Sequence, residues 1–489
     1  MDNVIRFEAH YSKDVPKEYI GNPYIEAMPP LMSLKEYFEL ILFLPKFDPQ
    51  SRGEDNVYRK VKIAAVYKYV VPNIHFYDLY QTLWRMLFTT YSDRNSFETK
   101  KVQRHYSLLL LKQAMDESWT GTTGESLLVV APSGFGKTFI VRRVLQSLPQ
   151  VIDHTEYHGK PFKQPQVLWI YLKISSNANR KSLCQLFLEE VDKCVGTEYA
   201  STVKPTTQLG VYETLFRTII ETYKIGLLVI DEMKNLSVSK AGGDQEFLNF
   251  FSELAERWRM GLVLIGTPDI LPILKGTFTS TRRLTAGGDK HFERYEQNDP
   301  VWIGLVKTLW PYQYVTTPCE LYDDKRNITD KVLFDEIYKL TQGIPFVFTF
   351  LFVHAQFWVI ESTKKRDDEK LTISSFRHAF NNASKLIKIA VEDIRDNGGK
   401  NYPDLMQRAM DTISPAKKEF ILKLELLLEK KTLSPKAMSA LRKEIGEAEE
   451  KYILNDAELA IIERVKQGGI LDNTYNKSNV IEGQYEEVG

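Results

Sequence analysis

The chain of 489 residues has little cysteine, no excess of either charge and no long apolar run. Its three cysteines are odd in number and lack metal-ligand spacing, which argues against a disulfide framework and a zinc site. Lysine plus arginine equals aspartate plus glutamate at 64 each, so any contact with nucleic acid must come from a local basic surface. The composition predicts a cytoplasmic protein with reduced thiols and roughly two to four domains.

The sequence also has no segment that is expected to enter a membrane. Its first residues contain no basic stretch leading into an apolar one, so no secretory signal is expected. The most apolar segment, Phe346 to Ile360, is interrupted by His354 and Gln356 and is shorter than the roughly 20 residues that span a bilayer. It is predicted to be a buried helix.

A glycine-rich segment follows an apolar run and precedes a predicted helix. It consists of Ala131, Pro132, Ser133, Gly134, Phe135, Gly136, Lys137 and Thr138, and Phe139 begins the helix. In this setting backbone N–H groups bind phosphates, Lys137 reaches the terminal phosphates and the Thr138 hydroxyl coordinates Mg²⁺. Ala131 replaces the usual glycine, a mild departure because close backbone approach is needed mainly at Gly134 and Gly136. The segment predicts an ATP and Mg²⁺ site; the alternative is a strand-to-helix turn that binds nothing.

Two further apolar runs end in polar residues. The first ends in Asp231 and Glu232. Asp231 is predicted to bind Mg²⁺, and Glu232 to orient or deprotonate the attacking water, as in a hydrolase. The alternative is an acidic pair that caps the next helix. The second run ends at Thr267, whose hydroxyl is predicted to sense the terminal phosphate, although a plain turn is equally compatible with that pattern alone.

An arginine pair, Arg282 and Arg283, follows the third of these runs. An arginine supplied by a neighbouring subunit typically accelerates phosphoryl transfer by about 10³–10⁵-fold, and one of this pair is predicted to act in that way. Arg257 and Arg259 are the reserve candidates, and a solvated basic turn is the alternative.

Contact with DNA is predicted for a polar and basic group that follows the second candidate strand. Its members are Lys173, Asn177, Asn179, Arg180 and Lys181. Such contacts would bind the phosphate backbone without reading sequence and would weaken steeply with salt. An ordinary helix start with surface charge is the alternative.

Short apolar runs alternate with helical patterns between residues 108 and 318, which predicts an α/β fold with a parallel sheet flanked by helices. The candidate strands are 127–130, 167–174, 227–230 and 262–265. Four domains are predicted: a helical partner-binding region at 1–100, an ATPase core at 101–318, a helical lid at 319–397 and a helical to flexible tail at 398–489.

The order of these elements resembles the AAA+ ATPases of the origin-initiator branch. Four segments together resemble the TnsC/TniB family of transposition regulators: 22–30 (Asn-Pro-Tyr-Ile-Glu-Ala-Met-Pro-Pro), 131–138, 229–232 and 265–268. The resemblance covers about residues 15 to 360. It implies loop, metal, water and sensor roles for Lys137, Thr138, Asp231, Glu232 and Thr267.

The resemblance also implies partners. Proteins of this family form ATP-dependent rings or filaments on double-stranded DNA, receive a target-selection protein, and recruit and activate transposase subunits. By similarity, the target selector would bind the N-terminal region and the transposase the C-terminal tail. Many relatives have an arginine after the Gly-Ile-Pro of the lid, where this sequence has Phe346. Because of this departure, hydrolysis is expected to depend more heavily on the neighbouring subunit's arginine.

Three functions fit these patterns. The first is a homo-oligomeric, DNA-binding ATPase that regulates transposition and disassembles on ATP hydrolysis. The second is a replication or repair loader that uses the same motifs on DNA. The third is a signalling scaffold of the same fold that never touches DNA. ATP-dependent, salt-sensitive DNA binding would exclude the scaffold, and association with a DNA-joining partner would separate the first two.

Overall fold

The computed structural model describes residues 4–92, 94–98, 124–175, 179–204, 206–235, 260–271, 284–323, 325, 327–399 and 401–405, with a few residues after 419. The chain divides into two compact units, residues 1–406 and residues 407–489. The first unit contains every helix and strand given below.

The strands of the first unit are β1 (Arg6–Glu8), β2 (Ser126–Val130), β3 (Val151–Tyr157), β4 (Lys160–Val167), β5 (Trp169–Lys173), β6 (Leu227–Asp231), β7 (Gly261–Gly266) and β8 (Gly288–His291). Its helices are α1 (Pro23–Glu26), α2 (Leu34–Ile41), α3 (Asn56–Ala64), α4 (Ile74–Ser92), α5 (Lys137–Gln146), α6 (Arg180–Val195), α7 (Tyr199–Thr202), α8 (Leu209–Tyr223), α9 (Pro300–Leu309), α10 (Lys331–Thr341), α11 (Pro345–Ser362), α12 (Ile373–Asn382) and α13 (Lys385–Asn397).

A five-stranded sheet forms the centre, in the order β5-β6-β7-β2-β8, and all its neighbours pair in parallel. Every residue of β2, β6 and β7 is buried, because helices cover both faces of the sheet. The predicted α/β fold is therefore confirmed. The edge strand β8 was not predicted, since its sequence Gly-Asp-Lys-His carries no apolar run.

The predicted strand at 167–174 is wrong at its start, because Val167 ends the preceding strand β4 and β5 begins at Trp169. Strands β3 and β4 form a hairpin, with His158 and Gly159 at positive φ in its two-residue turn. The N-terminal strand β1 pairs with β3 and completes a separate three-stranded sheet. The exposed residues of β1 carry no pattern that predicts a strand.

The predicted lid region, residues 319–397 and here called the lid, contains α11, ten residues of which are buried. Its buried Gln356 accepts a hydrogen bond from the backbone N–H of Tyr314 at 2.8 Å and donates one to the carbonyl of Tyr312 at 3.2 Å. Among the described residues, α11 is the one helix long and apolar enough to cross a bilayer, and 56% of it is buried inside the protein. The predicted buried helix is thus present, as a core element of the lid.

The N-terminal region divides between the core and the lid. Helix α4 contacts α5 and β7 of the core, whereas α3 contacts α11 of the lid. The link to the lid is a buried ion pair, in which the Arg59 guanidinium donates to both carboxylate oxygens of Glu369, at 2.5 and 2.9 Å. The stretch between α3 and α4 therefore bridges core and lid.

Candidate nucleotide-binding site

The phosphate loop joins β2 to α5. Gly134 and Gly136 have φ of +78° and +93°, which a side chain rarely adopts, so glycine is required at both positions. No side chain of a described residue caps the N-terminus of α5. Its first N–H groups therefore remain available to an anion, and the helix dipole favours negative charge at that point.

Three donors converge on the carboxylate of Asp231, which is fully buried. The Thr138 hydroxyl donates to Asp231 Oδ2 at 2.7 Å, and the Tyr171 hydroxyl donates to the same oxygen at 2.6 Å. The backbone N–H of Glu232 donates to Oδ1 at 2.7 Å. The fold thus joins the phosphate loop to the acidic end of β6, as the sequence predicts for Thr138 and Asp231.

Tyr171 was not identified from the sequence. Burial, followed by the hydrogen bond to Asp231 and the charge of Asp231, raises the pKa of Tyr171 well above its ordinary value, so its hydroxyl stays protonated and is the donor. Tyr171 is in register with Val229 on β6, two residues before the position opposite Asp231. A hydroxyl on an otherwise apolar buried strand is the signal that could have identified it.

Glu232 lies in the left-handed region, with φ of +61°. A non-glycine residue reaches this conformation at some cost in energy and is found there mostly in turns and at functional sites. Its neighbour in sequence is the buried Asp231, whereas Glu232 itself is half-buried. Glu232, the candidate base, thus has an uncommon backbone conformation directly after β6.

Thr267 follows β7, the strand that separates the loop strand β2 from β6. It is 1% exposed, and its hydroxyl finds no hydrogen-bond partner in the part of the chain that the structure describes. A buried hydroxyl without a partner is uncommon. The observation fits a hydroxyl that donates a hydrogen bond to a phosphate oxygen when nucleotide is present.

Two cavities flank the phosphate loop. The first, of about 580 Å³, is a phosphate cleft lined by Gly134, Gly136, Lys137, Thr138, Phe139, Arg142, Arg143, Gln146 and Phe346. The backbone N–H of Phe346, in the lid, donates to the carbonyl of Gly134 at 3.3 Å. The lid therefore contacts the loop through backbone and an aromatic ring rather than through a cation.

The second cavity, of about 400 Å³, is apolar, and we call it the base pocket. Its lining comes from Phe38 of α2, from the stretch before α4 and the start of that helix, from Phe135 and the start of α5, from α9 with the preceding Tyr295, and from the lid at Pro345. Phe135 of the loop stacks on Phe292 at 5.6 Å between ring centroids, and Asn73 donates to the Tyr295 hydroxyl at 3.2 Å. The first contact joins the loop to the residue after β8, and the second joins the stretch before α4 to Tyr295; the sequence did not predict them.

A turn after α13 also touches the phosphate loop. The backbone N–H of Ser133 donates to the carbonyl of Asp404 at 2.9 Å. Asp393 shapes this turn by accepting hydrogen bonds from the backbone and side chain of Asn401. Residues 403–405 also contact residues 268–270, directly after Thr267.

The predicted DNA group lies partly within the described residues. Lys173 is exposed at the end of β5, and Arg180 and Lys181 begin α6. The side chain of Asn179 accepts from the backbone N–H of Ser182 at 3.0 Å, so it serves as the N-cap of α6. Cations in the first turn oppose the helix dipole, although the Lys181 ammonium lies over the Tyr212 ring, 5.9 Å from its centroid. Outside the described residues lie Asn177, Arg257, Arg259, Arg282 and Arg283.

The donor set fits a nucleotide-linked magnesium ion better than a structural metal. Within the described ranges no three His, Cys, Asp or Glu side chains cluster as metal ligands. The loop hydroxyl of Thr138 and the carboxylate of Asp231 are oxygen donors of the kind that Mg²⁺ prefers, with substrate phosphates completing such sites. These residues therefore fit the ion that the sequence predicts.

Comparison with known proteins supports the same assignment. Residues 121–274 match the family described as AAA domain, a range that contains the phosphate loop, Asp231, Glu232 and Thr267. A search of curated proteins finds no match. Among solved structures, a Walker-type ATPase of Pyrococcus abyssi has a TM-score of 0.35 and 12% identity, over 76% of this chain and 89% of that one. The match of residues 121–274 to the AAA domain supports a P-loop ATPase.

Proposed function

We propose that this protein is an ATP-dependent, DNA-binding AAA+ regulator of DNA transposition. The ATPase part is carried by one observation, the 2.7 Å hydrogen bond that joins Thr138 of the phosphate loop to Asp231. This contact unites the two motifs that a magnesium nucleotide requires. The transposition part rests on the resemblance of four sequence segments to the TnsC/TniB family.

The residues of the site divide the work of hydrolysis. Loop N–H groups and Lys137 bind the phosphates, and Thr138 with Asp231 would hold the ion. Magnesium, when bound, supplies positive charge that neutralises the phosphates. Glu232 orients the attacking water and accepts its proton, and the Thr267 hydroxyl donates to the terminal phosphate.

The base pocket adds specificity for the nucleoside. Its size of about 400 Å³ and its aromatic and aliphatic lining suit a planar base, next to a loop that binds phosphates. Segments on both sides of this pocket come from the N-terminal region and the lid. Binding of ATP would therefore draw these parts together and favour one arrangement of the subunit.

The proposed cycle uses this arrangement as a switch. ATP joins subunits into a ring or filament on double-stranded DNA, with Lys173, Arg180 and Lys181 among the backbone contacts and an arginine from the adjacent subunit completing the site. The assembly links a target-selection protein to transposase subunits. Hydrolysis then dismantles it.

The test measures anisotropy of a labelled duplex with a slowly hydrolysed ATP analogue and without nucleotide, at about 50 and 200 mM salt. We expect tight, salt-sensitive binding only with the analogue, and closed or helical assemblies on the duplex by electron microscopy. Lys137→Ala should abolish both. Lys173→Glu should weaken binding and flatten the salt dependence, whereas Lys163→Glu, which changes an exposed lysine of β4, should do neither.

Other results would replace the proposal. Nucleotide-dependent assembly without any DNA affinity would support the scaffold. DNA binding with no effect on strand transfer by a purified transposase would support a loader. Identical size and DNA affinity with and without nucleotide would contradict the switch itself.

A further inference from the structure

We propose that Tyr171 is a positioning residue that holds the carboxylate of Asp231 in place for the magnesium ion. The inference rests on the proposed ATPase function and extends it to a residue outside the recognised motifs. Tyr171 is expected to bind neither nucleotide nor metal itself. Its effect passes through one hydrogen bond, from its hydroxyl to Asp231 Oδ2 at 2.6 Å.

The carboxylate of Asp231 accepts hydrogen bonds from several donors. Oδ2 accepts from both Tyr171 and Thr138, and Oδ1 accepts from the Glu232 backbone. A fully buried carboxylate needs such donors, because burial without hydrogen bonds strongly disfavours its charged form. Within the described part of the chain, the Tyr171 bond is thus one of two side-chain hydrogen bonds that fix the orientation of this group.

The two side-chain donors to Asp231, Thr138 and Tyr171, are not equivalent. The Thr138 hydroxyl oxygen is also the predicted metal ligand, so its environment changes when the ion binds. Tyr171 stands on the neighbouring strand and is not a predicted ligand, so its bond to Asp231 is independent of that change. It is the donor suited to keeping the carboxylate fixed both before and after the ion arrives.

Neighbouring elements fix the position of the Tyr171 ring. Strands β5 and β6 pair in continuous register from Trp169 to Lys173, which fixes the backbone of Tyr171 relative to Asp231. The Arg142 guanidinium lies over the ring, 5.7 Å from its centroid. Arg142 is four residues after Thr138 on α5, so the ring is clamped between the helix that carries the loop hydroxyl and the sheet that carries the carboxylate.

The test is Tyr171→Phe, which removes the hydroxyl and keeps the ring beneath Arg142. A fluorescent ADP analogue is titrated with Mg²⁺, and its affinity is measured separately in EDTA. We expect the Mg²⁺ midpoint to rise about tenfold, while the affinity for the metal-free nucleotide stays within about twofold of the parent. Tyr223→Phe is the matched control, because it removes a hydroxyl paired with Tyr199 on α7 and α8, and it should leave both values unchanged.

A double variant tests the route of the effect. If Tyr171 acts through Asp231, Tyr171→Phe should add nothing to the Mg²⁺ defect of Asp231→Asn. An unchanged Mg²⁺ midpoint, equal losses with and without Mg²⁺, additive defects, or failure of Tyr171→Phe to fold would each overturn the inference. The proposed ATPase function fails by a different result: no nucleotide binding in the parent protein, or binding that Lys137→Ala leaves intact.

Discussion

At the metal end of the site three donors converge on one buried carboxylate, whereas at the base end segments distant in sequence surround an apolar cavity. The metal end stands on adjacent elements of the central sheet. The base end depends on the N-terminal region and on the lid, which the Arg59–Glu369 pair ties together. The carboxylate and its donors thus lie on the central sheet and the adjacent phosphate loop, whereas the lining of the apolar cavity is shared with the N-terminal region and the lid.

This difference has a consequence for how nucleotide is sensed. The lid contacts the phosphate loop at two points. The Phe346 N–H donates to the Gly134 carbonyl, and the Ile344 side chain lies so close to Gly134 that a Cβ added there would be 3.1 Å from it. Neither contact involves a charged group. We therefore expect the lid to respond to nucleotide through packing around the base pocket.

The largest expected effect is at the metal end, with Glu232→Gln. Loss of the general base should slow ATP turnover by at least about 100-fold, because such groups contribute about 10²–10⁴-fold. Nucleotide affinity should change little, since the amide keeps the size of the carboxyl group. Steady-state ATPase assays and nucleotide titrations measure the two quantities, and Glu156→Gln on the exposed face of β3 is the control. Turnover at the parent rate would exclude Glu232 as the base.

The metal end was largely predictable because each of its residues belongs to a short local motif. Thr138 follows the loop after β2, Asp231 ends β6 and Thr267 follows β7, and parallel strands bring their carboxyl ends to one edge. Four of the five central strands were predicted from their apolar runs. Tyr171 was missed because it lies inside such a run and not at its polar end.

The base end was not predictable from local patterns. Its lining joins residues as distant as Val71, Phe139, Gly304 and Pro345, and apolar residues at such positions look like ordinary core. Strand β1 pairs with β3 in a register that places Arg6 opposite Val151, a contact between distant segments that no local signal encodes. Tertiary packing alone brings these segments together.

The second prediction, Glu369→Gln, tests the Arg59–Glu369 ion pair that joins the N-terminal region to the lid. This change leaves Arg59 buried beside a neutral amide, and breaking a buried pair typically costs about 3–5 kcal/mol in the free energy of unfolding. Chemical denaturation at neutral pH measures the loss. Glu361→Gln, at the exposed pair with Lys60, should have little effect. Similar small effects for both variants would show that the Arg59–Glu369 pair does not contribute to the free energy of unfolding.

The same pair predicts a pH dependence. Burial alone would raise the pKa of Glu369, but the hydrogen bonds and charge of Arg59, together with Thr316, outweigh it and hold that pKa below its ordinary value. The pair therefore stabilises the fold above the ordinary carboxyl pKa, about 4.3, and this contribution is lost as the pH falls through the lowered value. The stability difference between parent and Glu369→Gln should shrink in acid, and a difference that is constant with pH would contradict this account.

The third prediction fills the base pocket with Gly304→Leu. Gly304 lies on α9, and a Cβ built there meets nothing within 4 Å, so the new side chain would extend into the cavity. ATP and ADP affinities should fall about tenfold, a cost of roughly 1.4 kcal/mol, while pyrophosphate binding stays unchanged. Calorimetric titrations measure both. Gly210→Leu, at another helical glycine with open space, is the control. Equal loss of pyrophosphate binding would mean that this cavity does not hold the base.

The smallest expected effect returns to the metal end, with Thr267→Val. Valine keeps the shape of threonine and removes a buried hydroxyl that has no partner among the described residues. An unpaired buried hydroxyl costs stability, so the nucleotide-free variant should melt at the parent temperature or a few degrees higher. Turnover should fall about fivefold, the value of one lost hydrogen bond of about 1 kcal/mol. This opposition separates function from structure, because a threonine held by an internal hydrogen bond would lose stability when replaced and leave turnover unchanged.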